Sequence, residues 1–158
     1  MKKIIKFIYS KIKKIIRVGK SSDEFKKLTL GKLLIERNKL KKIEKIEDIE
    51  FKIFSQFGDD GIIQFLIDKL EIDYEYQNFI EFGVEDYSEA NTKFLLLNNN
   101  WSGLILDSSN ENIENIKKNN FFWKFDLEAI ECFIKKENIN SIITNSNIYK
   151  KKNWDSKH

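Results

Sequence analysis

Residues 78–84 (NFIEFGV) and residues 103–109 (GLILDSS) decide the fold of this 158-residue chain. Each is a short apolar run followed by turn-forming residues, which is typical of a strand buried in a parallel sheet. Between the two runs, residues 94–97 (FLLL) continue an apolar face at helical spacing, and we expect a helix there that is capped near Ser88. Strand, helix and strand in this order are the unit of a parallel sheet with right-handed crossovers.

The same alternation continues on the carboxyl side. Three further elements are predicted from their apolar spacing: a polar helix over residues 110–120, a third strand over 121–127 (FFWKFDL) and an amphipathic helix over 127–138 (LEAIECFIKKEN). Ile142 and Ile143 are then expected to begin a fourth strand. The sequence therefore predicts an α/β fold, a doubly wound half-sheet of three to four parallel strands with flanking helices, in which ligands bind at the carboxyl edge.

On the amino side, the turn-rich residues 55–61 (SQFGDDG) precede an apolar helical period. Asp59 or Asp60 is a natural N-cap, so a helix is predicted over residues 60–70. We divide the chain into four regions: a basic amphipathic helix (1–20), a helical connector (21–50), a partial α/β domain (51–144), and a tail that is disordered or unrelated to that domain (145–158).

Composition excludes several classes of function. A hydrophobic content of 41% predicts a folded core. The single cysteine, Cys132, excludes an internal disulfide framework and a cysteine-based zinc or iron–sulfur site within one chain, and we expect no metal site. Residues 1–20 carry eight cationic side chains and no acidic one, whereas the rest of the chain has a net charge of −5. Because the basic charge is terminal and does not run across the fold, no nucleic-acid partner is expected.

Residues 1–18 (MKKIIKFIYSKIKKIIRV) place isoleucines at helical spacing and lysines largely elsewhere. The segment lacks the run of about 18 apolar residues that a spanning helix needs, and it lacks the cleavage pattern of a secretory signal. We expect a cytoplasmic protein, and one interpretation of this segment is that it lies on the anionic membrane surface, which would make the protein peripheral to the inner membrane. The other is a terminal helix that is mobile or packs on the core.

The predicted strand ends indicate a nucleoside pocket. Gly83 follows Glu81 at the end of the first strand, and a glycine there allows a ligand to approach the backbone closely. Asp107 ends the second strand, near the spacing of about 20 residues at which an acidic residue binds ribose hydroxyls. The G-x-G-x-x-G pattern of dinucleotide sites is missing, and the acidic Glu85 and Asp86 would repel a pyrophosphate. The charge pattern favours S-adenosylmethionine, which carries a sulfonium and an ammonium group, over NAD.

Four motifs, in chain order, carry a resemblance to a known family. They are Ser55-Gln56 with Gly58-Asp59-Asp60-Gly61, Phe79 to Val84, Asn91-Thr92, and Trp101 to Asp107. Together they resemble the FkbM-like class of S-adenosylmethionine-dependent methyltransferases, and in particular its bacterial branch with S-Q-x-G-[ED]-D-G, E-F-G-V and N-N-W-S-G-L motifs. The resemblance covers about residues 50–140 and implies a Rossmann-like methyltransferase fold.

The resemblance also implies a set of cofactor-binding residues at the strand ends and in the turn before the first helix of the domain. These are Glu81 and Gly83 beside the methionine and ribose, Asp107 on the ribose hydroxyls, Asp126 at the end of the third strand near the adenine, and the turn with Gln56, Asp60 and Gly61 closing over the pocket. From the residues alone, simpler roles stay open: Glu81 as a strand-edge charge, Asp107 and the Asp59-Asp60 pair as helix caps, and Asp126 as a turn residue.

Two features depart from the family pattern. Tyr87 stands where many methyltransferases have glycine, and no D-I-D-G-like motif follows the predicted fourth strand. The resemblance therefore implies a truncated, catalytically impaired methyltransferase whose catalytic residues and acceptor, a glycan or a metabolite, are unidentified. The alternative hypothesis is a non-catalytic, membrane-peripheral interaction module in which the unpaired edge of the half-sheet binds a partner.

Overall fold

The structure of the chain, a computed structural model, describes residues 22–150. It is an α/β fold with one three-stranded parallel sheet in the order β1-β2-β3, so the predicted fold class is confirmed. The elements are α1 (residues 22–40), α2 (Asp59–Leu70), β1 (Asn78–Phe82), α3 (Lys93–Asn99), β2 (Ser102–Asp107), α4 (Asn110–Lys117), α5 (Asn120–Lys124), β3 (Leu127–Glu131) and α6 (Ile139–Asn145).

The central strand β2 is buried on both faces of the sheet. Ile105 lies on the front face, which packs against the cluster of α3, α4 and the segment before α2. Leu104 and Leu106 lie on the back face and pack against Ile142 of α6 and Ile148. Because side chains alternate between the two faces along a strand, a continuous apolar run is the pattern expected of a strand covered on both sides.

The helix α1 belongs to this packed core. Leu28, Leu34 and Ile35 are half-buried against the front-face cluster, and a Cβ at Gly31 would overlap the ring of Phe94. The region predicted as a connector thus contributes apolar surface to the domain.

Two predicted elements around the third strand are wrong. Residues 121–127 were expected to form a strand, but Asn120–Lys124 form the short helix α5. The strand is Leu127–Glu131, within the range predicted as an amphipathic helix. The sequence LEAIE satisfies both periods, since its apolar residues fit helical spacing and also alternate between the faces of a strand. Pairing with the free edge of β2 decides in favour of the strand.

The predicted fourth strand is also wrong, because Ile142 and Ile143 lie in α6. There Ile142 packs on the back face of the sheet, so its apolar side chain is covered by a helix–sheet contact and not by strand pairing. The tail predicted over residues 145–158 is ordered in its first part. Ser146 and Ile148 are buried, and residues 147–150 are helical.

The helix α2 confirms the prediction for residues 60–70, but its N-cap is Gly58 and not Asp59 or Asp60. The helix predicted to be capped near Ser88 begins only at Lys93, with Thr92 as its N-cap residue. Residues 84–92 instead form an irregular loop, named here the β1 loop.

The helices within residues 22–150 are too short or too polar to cross a membrane. The basic segment of residues 1–20, to which the membrane prediction applies, lies outside the described residues.

Asp60 organises the segment that leads into α2. Its buried Oδ2 atom accepts hydrogen bonds from the backbone N–H groups of Ile53 (2.7 Å), Phe54 (2.7 Å) and Ser55 (2.8 Å), and from the Ser55 hydroxyl (2.9 Å). Three consecutive N–H donors on one carboxylate oxygen fix the backbone of residues 53–55 without regular secondary structure. Gly61 is required for packing, because a Cβ there would overlap the backbone of residues 49–51.

Replacement of Asp60 by Ala should destabilise the domain by about 3 kcal/mol or more, since it leaves several buried N–H groups unpaired. The matched control is Asp59→Ala, because Asp59 precedes it in the first turn of the same helix and is only half-buried. Its loss should cost at most about 1 kcal/mol of helix-dipole stabilisation. Urea unfolding measures both values, and equal losses would contradict the assigned role of Asp60.

Candidate ligand-binding site at the carboxyl edge of the sheet

Gly83 leaves open space at the end of β1. Its N–H donates to the carbonyl of Leu106 at 2.8 Å, which continues the pairing of β1 with β2 by one residue. Its φ of +66° is in the left-handed region that favours glycine. A Cβ placed on Gly83 would meet no atom within 4 Å. The strand end is therefore open to a ligand, and Gly83 itself is exposed.

Asp107 lies beside this space at the end of β2 and is buried. Its Oδ1 accepts from the N–H of Ser109 at 2.8 Å and from Asn112 Nδ2 at 3.3 Å, and its Oδ2 accepts from the N–H of Glu85 at 2.9 Å. The helix cap of α4 is Ser109, whose side chain accepts from the N–H of Asn112. Because a carboxylate offers about four acceptor positions, Asp107 retains capacity for one further donor.

Glu81 is half-buried and holds the far end of the β1 loop. Its two oxygens accept from the N–H groups of Asn91 (3.0 Å) and Thr92 (3.1 Å), and from the Thr92 hydroxyl. These contacts use both oxygens of the carboxylate. Glu81 therefore positions the loop that frames the site, and its hydrogen bonds account for the cost of placing an acid in an apolar strand.

The β1 loop has an unusual backbone for its residue types. Glu85 and Tyr87 have φ values of 49° and 60°, in the left-handed region where most side chains are disfavoured. Tyr87 is fully buried, packs on Phe121 with ring centroids 5.8 Å apart, and shares a hydrogen bond of 3.0 Å between its hydroxyl and that of Thr92. The buried ring thus stabilises a conformation that glycine would adopt without strain.

The turn before α2 lies next to the β1 loop. Lys52 Nζ donates to the carbonyl of Gln56 at 2.8 Å and forms an ion pair with Glu89 at 3.0 Å. The exposed Gln56 therefore lies near the β1 loop. Asp60 and Gly61 of the same turn pack against residues 49–55, so their contacts are with the domain's own backbone.

Asp126 does not lie at this edge. It precedes β3 at the amino end, where its Oδ2 accepts from the Ser102 hydroxyl at 2.9 Å. The expected position was wrong because the third strand begins six residues later than predicted. The acid at the carboxyl end of β3 is Glu131, which pairs in register with Asp107 and accepts from Asn110 Nδ2 at 2.6 Å. The alternating apolar residues of LEAIE were the sequence signal that could have placed Glu131 at this strand end.

Two cavities lie away from the carboxyl edge. One of about 140 Å³, between α1 and α2, is lined by residues that include Ile35, Phe51 and Phe65. The other, of about 340 Å³, lies beside the amino half of β3 and residue Ile148. The first is smaller than the roughly 300 Å³ of typical ligand pockets, and the second is at the end of the sheet where parallel folds seldom bind ligands. The open edge near Gly83 and Asp107 is the stronger candidate.

The electrostatic environment of the edge is acidic. Glu85, Asp86 and Glu89 of the β1 loop are exposed, and hydrogen bonds from Ser88 lower the pKa of Asp86, with the Lys93 ammonium acting in the same direction. Within residues 22–150, no three His, Cys, Asp or Glu side chains are grouped closely enough to hold a metal ion. The site therefore offers backbone groups, carboxylates and an acidic rim.

Comparison with protein-family models, with curated proteins and with solved structures found no match to this chain. The fold and the geometry of the carboxyl edge therefore define it as a parallel α/β protein with a candidate ligand site, and they carry the functional argument.

The burial of Tyr87 makes a specific pH dependence testable. Burial raises the pKa of Tyr87 far above its ordinary value, with the hydrogen bond to Thr92 opposing this. Above about pH 10 the tyrosine ionises only in the unfolded chain, so stability contributed by Tyr87 is full below that pH and falls by about 1.4 kcal/mol per unit above it. Tyr87→Phe should remove this part of the loss between pH 9 and 11, as measured by urea unfolding.

The control is Tyr74→Phe, because Tyr74 is 88% exposed. This variant should keep the wild-type loss of stability at high pH. A Tyr87→Phe protein that loses as much stability as wild type over the same pH range would show that Tyr87 is not the responsible group.

Proposed function

We propose that the chain binds S-adenosylmethionine at the carboxyl edge of its sheet, as a methyltransferase-like protein. The observation that carries the proposal is the open space at Gly83 beside the buried carboxylate of Asp107. Parallel α/β folds bind nucleosides at this edge, with glycine at the first strand end and an acid at the second. The motif resemblance supports the same assignment.

The residues present fit the chemistry of this cofactor. The space at Gly83 admits a group against the backbone, and the remaining acceptor capacity of Asp107 suits a ribose hydroxyl. The exposed acids Glu85 and Asp86 attract a cofactor with sulfonium and ammonium groups and repel a pyrophosphate. When bound, S-adenosylmethionine supplies an electrophilic methyl group.

The described residues support cofactor binding and not methyl transfer itself. Transfer of the methyl group to a glycan or metabolite acceptor belongs to the proposal through the motif resemblance alone. Transfer needs an acceptor held in line with the sulfonium, and such positioning accounts for roughly 7 to 11 kcal/mol of a barrier.

Isothermal titration of the full chain with S-adenosylhomocysteine tests the proposal. Gly83→Ala should weaken binding by about tenfold or more, because the methyl group enters the space against the backbone, while alanine in the left-handed region costs only about 1–2 kcal/mol of stability. Asp107→Asn should weaken binding to a similar extent by replacing a charged acceptor of the ribose hydroxyl.

The matched control is Asp126→Asn, which changes an acid at the opposite edge of the sheet and should leave the affinity unchanged. Circular dichroism and urea unfolding establish that each variant is folded. Absence of binding by the wild-type chain, or equal affinity of wild type and a folded Gly83→Ala variant, would defeat the proposal.

A further inference from the structure

Apolar side chains on the back face of β1 are exposed, whereas the side chains at the paired positions of β2 are buried. Leu104 and Leu106 on the back face are covered by Ile142 and Ile148, whereas their register partners Ile80 and Phe82 on β1 are 39% and 50% exposed. Within residues 22–150, β1 pairs with β2 along one side and with no strand along the other. The back face is therefore covered over β2 and uncovered over β1.

Little protects the back face of β1, because its one charged side chain, Glu81, lies on the front face and accepts hydrogen bonds from Asn91 and Thr92. The sequence of β1, NFIEF, contains no lysine, and the whole chain contains no proline. Such residues normally keep open edges from binding other segments. An apolar edge of this kind gains stability from a segment that brings its own apolar face.

The charges around the edge select a basic occupant. The acids Glu85, Asp86 and Glu89 follow β1 directly and are exposed. Across residues 51–100 there are ten acidic and three basic side chains. A partner with an apolar stripe flanked by cations would satisfy both the uncovered side chains and this charge.

Residues 1–20 of the same chain have this composition. They carry eight cations and no acid, and their isoleucines recur at helical spacing. Their charge is thus opposite to that of residues 51–100, and their apolar stripe matches the kind of surface left open by Ile80 and Phe82.

α1, which follows residues 1–20 in the chain, packs on the front face near the β1 loop. Lys27 Nζ lies 5.2 Å from the centre of the Phe54 ring, and Lys93 Nζ lies 5.1 Å from the same ring and 5.8 Å from that of Tyr87. Lys27, the sixth residue of α1, is thus linked to the β1 loop through the Phe54 and Lys93 side chains on the front face. Ile80 and Phe82 lie on the other face, so residues 1–20 must pass round the edge of β1 to cover them. Twenty residues span about 30 Å as a helix and up to about 65 Å when extended, which exceeds the roughly 10 Å between packed layers.

We propose that residues 1–20 dock on the uncovered edge and back face of β1. Their isoleucines cover Ile80 and Phe82, and their lysines lie against the acids of the β1 loop. In this proposal residues 1–20 bind to the chain's own sheet and not to a membrane surface. The inference does not depend on S-adenosylmethionine binding.

Amide hydrogen exchange of the full chain, measured by mass spectrometry, tests the docking. Amides within residues 1–20 should exchange about tenfold more slowly than in the free peptide of the same sequence. The protection should be lost in Phe82→Glu, which places a charge in the contact, and reduced at about 1 M salt, where charges are screened beyond about 3 Å. Lys13→Glu combined with Lys14→Glu should have the same effect from the side of the segment.

The matched control is Phe133→Glu, because Phe133 is 69% exposed and lies beyond β3, at the other side of the sheet. This variant should keep the protection. Loss of protection in Phe82→Glu together with its retention in Phe133→Glu separates docking from helix formation by the segment alone. Three results would overturn the proposal: exchange equal to that of the free peptide, protection that is unchanged by Phe82→Glu in a folded protein, and protection that requires anionic vesicles or rises with protein concentration.

Discussion

The burial of β2 on both faces is the constraint on which the remaining structure depends. A strand of this kind cannot leave either row of side chains in water, so one set of helices must cover Ile105 and another must cover Leu104 and Leu106. The front set comes from elements before and after β1, and the back set comes from α6 and the helical residues after it. The same strand ends at Asp107, so the element that organises the core also delivers the acid of the candidate site.

The sequence was sufficient to predict the elements whose patterns have one solution. The runs that became β1 and β2 are apolar and too short for helices, and Gly83 and Asp107 were placed at their ends. It was insufficient where two periods fit the same residues, as in LEAIE, and where a neighbouring surface decided the outcome, as for Ile142. The predicted position of Asp126 was wrong for the same reason, because it depended on where the third strand was predicted to end.

Roles of the acids were harder to predict than their positions. Asp60, Glu81 and Asp107 all accept backbone N–H groups from irregular segments, and a sequence does not show which donors will converge on a carboxylate. In a chain without proline, these carboxylates restrict loops that would otherwise be free. Of the three, Asp107 is the one at a strand end beside the open space at Gly83, so it fits a ligand contact most directly.

The register between the strands has a consequence for how the protein tolerates change. Gly83 bonds to Leu106, and Asp107 is aligned with Glu131, so the candidate site is defined by the same alignment that interlocks the core. A slip of one residue would turn Asp107 to the opposite face and would exchange the side chains that pack on the front and back of the sheet. The stability of the interior and the geometry of the edge therefore depend on the same strand alignment, so a core substitution that shifts the register would also separate the acid from the glycine.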